Sequence, residues 1–205
     1  MESTNSPYPA TLDVEYPDRE LSRLTTFFRL FTVIPIAIIL ALLNGDAAVS
    51  ANYNAGASLF LATVLMLLFR QTYPRWWFDW QLALTRLAMR IAAYLCLLRD
   101  EYPAVEQDQA IRVEIDYPNA QTDLNRWLPW VKWLLAFPHY LVLFFLTIAA
   151  TVCVIIAWFA ILFTGRYHEG CLTLSGHVMR YWLRVVVYAF MLTTDRYPPF
   201  SLTYS

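Results

Sequence analysis

Residues His139–Phe163 read HYLVLFFLTIAATVCVIIAWFAILF, an apolar run that contains no Asp, Glu, Lys or Arg. A helix over His139–Thr164 would measure about 39 Å at ~1.5 Å per residue, against a bilayer core of ~30 Å. The composition agrees, because 59% of the 205 residues are hydrophobic and only 15% are charged, whereas soluble domains carry about 25% charged residues. The chain is therefore predicted to be an integral membrane protein.

Outside this run the chain repeats itself. Leu12–Pro17 and Val113–Pro118 both alternate apolar and acidic residues ahead of a Tyr-Pro pair. Further residues recur at spacings of 94 to 103, namely Arg29 and Lys132, Pro35 and Pro138, Phe69 and Phe163, Tyr73 and Tyr167, Arg86 and Arg180, Arg90 and Arg184, Tyr94 and Tyr188, Asp100 and Asp195, and Tyr102 and Tyr197. Self-similarity at one long period indicates a tandem duplication. The first repeat is predicted over residues 8–103 and the second over residues 111–202.

Each repeat is predicted to contain a strand, a short transmembrane helical hairpin and an interfacial amphipathic helix. The protein would thus be all-α, with a small extended or β cap in the cytoplasm. The hairpins are expected at about 24–70 and 127–164, and the amphipathic helices at about 76–98 and 173–193. These bounds follow from the apolar runs and from the arginines that punctuate the third segment of each repeat.

The turns of the two hairpins differ in how clearly the sequence marks them. Asn44–Gly56 is rich in turn formers and cannot face lipid as irregular backbone, so it is predicted to be an aqueous loop. In the second repeat a turn is expected near Thr147–Thr151, although residues 146–152 contain no Gly, Pro or Asn. The alternative is one tilted helix over His139–Thr164.

Topology follows from strand pairing and charge. The two Tyr-Pro segments have the period-two pattern of strands, and their pairing would put them on one side of the membrane. Two hairpins then give four crossings, with three or six as alternatives, and all 15 basic residues lie on the side of the N-terminus. The positive-inside rule predicts a multi-pass protein of the bacterial inner membrane with both termini cytoplasmic. Residues 1–28 lack the features of a secretory signal, so internal segments are expected to direct insertion.

The third helix of each repeat carries paired arginines, four residues apart and therefore on one face. Arg86, Arg90, Arg180 and Arg184 are candidate ligands for lipid headgroups, since a guanidinium group binds phosphate with two hydrogen bonds. The simpler alternative is that they anchor the helices by snorkelling from the interface. Tryptophans are predicted interfacial anchors rather than a quinone or sterol groove, namely Trp76, Trp77, Trp80, Trp127, Trp130 and Trp133.

Other candidate chemistry is weak. His139, His168 and His177 have no second histidine three or four residues away, so a structural or solvated role is favoured over a haem or metal site. The three cysteines show no paired spacing and are interpreted as small buried hydrophobic residues. No catalytic motif, metal site or cofactor is predicted, and a net charge of −1 argues against nucleic acid as a partner.

Three segments carry a family resemblance: Arg126–His139 (RWLPWVKWLLAFPH), Ile156–Tyr167 (IAWFAILFTGRY) and Thr194–Leu202 (TDRYPPFSL). They resemble the bacterial membrane family catalogued as domain of unknown function 4389. The second repeat matches this pattern well and the first is a looser copy, with Ile36 at the position of His139. The resemblance implies a membrane fold and transfers no catalytic residue.

The expected function is a non-enzymatic membrane scaffold or accessory subunit that organises partners, self-assembly or bilayer shape. Its expected partners are membrane lipids, anionic ones among them, and other membrane-protein subunits or further copies of the chain. A channel or transporter built from two repeats is the alternative. That alternative has few polar side chains to use within the spans, namely Thr63, Thr147 and Thr151.

Overall fold

The described part of the chain is mostly helical and includes one small sheet. The computed structural model describes residues 8–14, 23–44, 55–99, 101–103, 111–164 and 169–202. Its elements in chain order are β1 (Ala10–Val14), α1 (Arg23–Asn44), α2 (Ala55–Leu65), α3 (Arg75–Leu95), β2 (Ile111–Ile115), α4 (Pro129–Leu135), α5 (Phe137–Thr164) and α6 (Glu169–Val186). α2 continues into a π-helical turn at Met66–Arg70, and α6 into another at Val187–Met191.

The two acidic segments pair as the sequence predicts. β1 and β2 are antiparallel, with Leu12 opposite Val113 at the centre of the ladder. In β2 the apolar residues are buried while Arg112 and Glu114 are exposed, which is the alternation expected of a strand with one face on a core. The predicted pairing of residues 12–17 with 113–118 is thus confirmed where the ladder covers it, at 12–14 and 113–115. Both strands begin two residues earlier than predicted, and β2 ends at Ile115, so Tyr117 and Pro118 lie beyond it. Tyr16 and Pro17 lie outside the described residues.

The predicted turn near Thr147–Thr151 is wrong. α5 is one uninterrupted helix of 28 residues, so the single-helix alternative replaces the second hairpin and the four-crossing arrangement built on it. The Thr151 hydroxyl donates to the Thr147 carbonyl at 2.7 Å, a bond that leaves a helix intact. The helical path breaks earlier, at Ala136, and Pro138 lies in the first turn of α5, where its missing N–H has no cost.

Helices also occupy the ranges expected for the rest of the two repeats. α1 and α2 lie within the range predicted for the first hairpin, and residues 45–54 between them lie outside the described residues. The third helices end alike, because Leu97 after α3 and Leu192 after α6 both have φ of 60°. A left-handed leucine is unfavourable by roughly 1–2 kcal/mol. The left-handed conformation of Leu97 and of Leu192 ends each helix abruptly, and packing of the surrounding chain must compensate for its cost.

α3 and α6 form a layer with the sheet on one face. The inward residues Leu12 and Val113 belong to one buried cluster with Met89 and Ala93 of α3 and with Met179 and Leu183 of α6. The opposite face of α3 carries Leu84, Ala88 and Leu95, which border a cavity shared with α5 and α6. The sheet and α5 therefore lie on opposite sides of the α3–α6 layer.

Each helix of this layer also packs against one strongly apolar helix. α1 lies against α3 through a cluster that includes Val33, Ile36 and Leu87. α5 lies against α6 through Leu143, Tyr181 and Val185. The Trp158 indole donates to the Thr26 carbonyl at 3.1 Å and links α5 to α1.

Among the described residues, one helix is long and apolar enough to cross a membrane, and it is α5. Only 17% of its most apolar stretch is buried inside the molecule. A helix that is apolar all round and mostly uncovered must find its cover elsewhere.

Candidate functional site

The arginines of the third helices bind the sheet across the two halves. The Nε atom of Arg86, on α3, donates to the Val113 carbonyl at 3.1 Å. The Nε atom of Arg180, on α6, donates to the Leu12 carbonyl at 3.1 Å. Because Leu12 and Val113 are cross-strand partners, each half contributes an arginine to the strand of the other half.

The second arginine of α6 is buried, contrary to a surface role. Arg184 is 3% exposed, and its NH1 atom donates to the Ser201 carbonyl at 2.9 Å. The carbonyl of Arg184 itself accepts from the Tyr8 hydroxyl at 3.4 Å. Its guanidinium group thus holds the C-terminal segment, and this burial is unfavourable to a headgroup contact. Arg86 is exposed and Arg90 and Arg180 are partly buried, so lipid binding by these three stays a prediction.

Lys132, the only lysine of the chain, is completely buried at the end of α4. Its Nζ atom lies 2.6 Å from Oδ1 of Asp195 and donates to the Thr194 carbonyl at 2.8 Å. The ammonium group also lies 5.5 Å from the centre of the Tyr188 ring. Burial lowers the pKa of Lys132, while the Asp195 carboxylate acts in the opposite direction. A buried ammonium needs such partners, because an unpaired charge in this position is very unfavourable.

His139, at the start of α5, is completely buried, and it is connected to the ion pair through the rings of Tyr197 and Tyr188. Its Nδ1 atom shares a hydrogen bond with the Tyr181 hydroxyl. Its ring stacks on Phe200 at 4.1 Å between centroids and lies 4.7 Å from the ring of Tyr197. The Nε2 atom has no hydrogen-bond partner in the described part of the chain. His139 is therefore a structural residue within the protein, one of the two roles that the sequence favours.

These groups form one cluster, which we call the C-terminal clasp. Its members join α4, α5 and α6 to the last described residues of the chain, and they are Lys132, His139, Tyr181, Arg184, Asp195, Tyr197 and Phe200. Sequence reasoning matched Lys132 and Asp195 to partners in the first half but did not recognise the cluster. The available signal was a lone lysine inside an apolar tryptophan-rich stretch, which implies a buried counter-charge.

The first half has a related but simpler cluster around Arg29, which is 2% exposed. The NH1 atom of Arg29 donates to the Tyr94 carbonyl at 2.9 Å, and its guanidinium carbon lies 4.5 Å from the Tyr94 ring centre. The Tyr94 and Thr32 hydroxyls share a hydrogen bond of 2.8 Å. Ile36 stands where the clasp has His139, and this buried isoleucine packs with apolar neighbours only in its cluster.

The predicted tryptophan anchors divide into two groups. Trp77 is 9% exposed, and its indole N–H donates to the Thr63 hydroxyl at 2.9 Å. Trp77 is therefore a core residue, which corrects its prediction as an anchor, and Trp80 is partly buried beside it. The remaining four side chains are at least half exposed, namely Trp76, Trp127, Trp130 and Trp133.

The other predicted residues occupy separate places. Thr63 binds Trp77 and Gln81, so its hydroxyl is used inside the protein. His177 is partly buried on α6, and His168 lies outside the described residues. Among the described residues Cys96, Cys153 and Cys171 form no disulfide. Within the described ranges no three His, Cys, Asp or Glu side chains are grouped to hold a metal ion.

Comparison with known proteins identifies a family for the second half. Residues 126–201 match the model of the family described as Domain of unknown function (DUF4389). This match confirms the resemblance found in the sequence, and the matched segment contains every member of the C-terminal clasp. No curated protein and no solved structure matches the chain.

Proposed function

We propose that the protein is a non-enzymatic integral membrane scaffold or accessory subunit that organises protein partners, further copies of itself or bilayer shape. The observation that carries this proposal is an uncovered apolar face. On α5 the large exposed side chains include Leu141, Phe144, Phe145, Ile148, Val152, Ile155, Ile156, Phe159 and Phe163. Soluble monomers rarely expose a contiguous apolar patch beyond a few hundred Å². This face therefore needs lipid or protein as its cover.

The proposed orientation follows from the two faces of the α3–α6 layer. α1 adds further exposed apolar residues, namely Phe27, Phe28, Phe31, Ile34, Ile38 and Ile39. On the other side of the layer the outer face of β2 presents Arg112 and Glu114. We assign α1 and α5 to the hydrocarbon and the sheet to the cytoplasmic side of a bacterial inner membrane, with both termini on that side. α1 and α2 would cross the bilayer as a pair. α5 would be followed by α6, which runs back along it through the Trp182–Thr147 and His139–Tyr181 hydrogen bonds, so that the C-terminal segment returns to the side of the sheet.

Matching contacts in the two halves support a tandem duplication. Arg86 and Arg180 occupy equivalent positions and bind equivalent strand carbonyls at the same distance. Arg29 and Lys132 are also equivalent, and each lies over the tyrosine that the repeat pattern assigns to it. Two halves that exchange arginine contacts through a shared sheet form a single rigid unit, as a scaffold requires.

We propose no catalytic activity because the buried ionisable groups bind other parts of the same chain. The buried cations Arg29, Lys132 and Arg184 bind backbone carbonyls or a carboxylate of the chain itself. Groups engaged in this way hold the fold together and are not directed at a substrate. The exposed tryptophans and Arg86 are proposed to contact the headgroup region, where indole and guanidinium groups are stabilised.

Membrane extraction and cysteine accessibility test the proposal. The protein should stay in the membrane after an alkaline carbonate wash and require detergent for release. After replacement of the three native cysteines by alanine, Asn119→Cys should react with an impermeant maleimide only in opened cells. Asp46→Cys is the matched control and should react in intact cells. Release by carbonate would refute membrane insertion, and external labelling of Asn119→Cys would refute the orientation.

The scaffold role is tested separately by purification in mild detergent followed by native mass spectrometry. A defined oligomer or a stoichiometric second subunit is expected. Reconstituted vesicles should show no ion flux above empty vesicles. A selective flux that Thr63→Ala abolishes would instead establish the channel alternative, because Thr63 supplies one of the few polar side chains of the predicted spans.

A further inference from the structure

A cavity of about 660 Å³ lies between α3, α5 and α6, on the side of the helical layer away from the sheet. The residues of α3 that border it run from Leu84 to Leu95, and those of α6 run from Ser175 to Val186. Each stretch is eleven steps long, which corresponds to about 16 Å at ~1.5 Å per residue. The volume falls within the range of roughly 300–1,000 Å³ that is typical of small-molecule sites.

The walls of the cavity select against charged ligands. None of the described residues that line it is Asp, Glu, Lys, Arg or His. Most of its polar side chains already have partners, since Thr85 donates to the Gln81 carbonyl and Thr151 to the Thr147 carbonyl. The Thr147 hydroxyl accepts from the Trp182 indole. An ionic group inside the cavity would therefore be desolvated without a counter-charge, which is strongly unfavourable.

Ser175 is the exception among these polar groups. It lines the cavity, is 1% exposed, and its Oγ atom has no hydrogen-bond partner in the described part of the chain. Buried hydroxyl groups in proteins are nearly always hydrogen-bonded, and an unpaired one is unfavourable by roughly 1–3 kcal/mol. The free Ser175 hydroxyl thus indicates a ligand oxygen at one end of an apolar slot.

We propose that this cavity binds the hydrocarbon chain of an uncharged single-chain lipid, whose one hydroxyl or carbonyl oxygen bonds to Ser175. The cavity is long enough for an extended chain, and the described residues that line it include no group that would retain a charged headgroup. The ligand enters from the hydrocarbon, so the inference rests on the membrane location proposed above. Carbonate extraction tests that location independently of ligand binding.

Photolabelling of the full chain in phosphatidylcholine nanodiscs tests the site. The probe is tetradecanol with a diazirine in its chain, and adducts are mapped by peptide mass spectrometry. Adducts are expected on the α3 and α6 stretches that line the cavity, and unlabelled tetradecanol should suppress them. Ser175→Ala should weaken competition by tetradecanol roughly fivefold, because one hydrogen bond is lost. Competition by tetradecane, which has no oxygen, should be unchanged in that variant.

A pair of tryptophan substitutions separates the cavity from the general lipid surface. Ala88→Trp fills the cavity and should remove the adducts, whereas Ala149→Trp, on the exposed surface of α5, should retain them. Equal labelling of the exposed faces of α1 and α5, unaffected by Ala88→Trp, would show that the probe acts only as solvent and would overturn the proposal. Equal competition by tetradecane and tetradecanol in the unaltered protein would overturn the assignment of Ser175.

Discussion

The clusters around Arg29 and Lys132 occupy equivalent places in the two halves but differ in content. Both place a buried cation over a tyrosine ring, Tyr94 in the first half and Tyr188 in the second. The second half adds the Asp195 carboxylate and the hydrogen bond between His139 and Tyr181. In the first half the position of His139 is taken by the buried Ile36.

The cation and tyrosine pair is common to both halves, whereas the additional titratable groups occur only in the second half. The cation and tyrosine pair occurs in both halves, and it therefore belongs to the packing of a third helix against its neighbour. The titratable additions occur in the segment that matches the family model, residues 126–201. They connect α4 and α5 to the C-terminal segment, since Asp195 pairs with Lys132 and the rings of Tyr197 and Phe200 pack on His139. The C-terminal clasp is thus a docking site for the end of the chain, built upon the common element.

The largest expected effect is at Asp195. Asp195→Asn removes the carboxylate that balances the completely buried Lys132, and breaking one side of a buried ion pair is unfavourable by about 3 kcal/mol. The free energy of unfolding in mixed micelles should fall by that amount. Adding Lys132→Met to Asp195→Asn should restore part of the loss, since no charge is then left unpaired. An equal loss in the exposed control Asp123→Asn would show that the effect is not specific to the pair.

The pair of His139 and Tyr181 tests whether the second half can be converted to the pattern of the first. His139→Leu should lower the free energy of unfolding by about 2 kcal/mol, because the buried Tyr181 hydroxyl loses its partner. The double variant His139→Leu with Tyr181→Phe should recover most of that loss. Additive losses in a double-mutant cycle would contradict a direct interaction between the two side chains.

The alkaline limit of stability provides a third test, through Tyr8. Its hydroxyl donates to the carbonyls of Arg184 and Arg196, next to the C-terminal clasp, and burial raises its pKa above the ordinary value of 10.0. The folded protein therefore retains this proton to higher pH than the unfolded chain. Its contribution is complete below pH about 10 and decreases above it by about 1.4 kcal/mol per pH unit. Tyr8→Phe should reduce this slope in unfolding measurements between pH 9 and about 11, and an unchanged slope would refute the assignment.

The smallest expected effect tests the equivalence of the halves directly. Arg86→Met and Arg180→Met each remove one hydrogen bond to a strand carbonyl, and each should lower the free energy of unfolding by about 1 kcal/mol. Losses of similar size are expected because both arginines donate to a strand carbonyl at 3.1 Å. A disulfide between Thr11→Cys and Glu114→Cys, which are opposite in the ladder, should form in both variants. The mismatched pair Thr11→Cys with Arg112→Cys should not form one.

The sequence predicts secondary structure well where its hydrophobic pattern fits only one kind of element. The alternation in Val113–Pro118 predicts a strand and the similar segment Leu12–Pro17 predicts its partner, and the two do pair. The arginines at positions 86 and 180 were recognised as equivalent from their spacing alone. The turn predicted near Thr147–Thr151 is wrong, because it follows only from comparison with the first half, and residues 146–152 contain no Gly, Pro or Asn.

By itself, the sequence determined the apolar α5 and the period-two strands, because each depends on the pattern of neighbouring residues. Only the tertiary structure decided that Arg184 is buried and Arg86 exposed, although both belong to the same spaced arginine pattern. It also decided that His139 meets Tyr181 and Phe200, which are 42 and about 60 residues away along the chain. The physical reason is that burial and pairing depend on which surfaces meet after folding, and residue type and periodicity do not specify this.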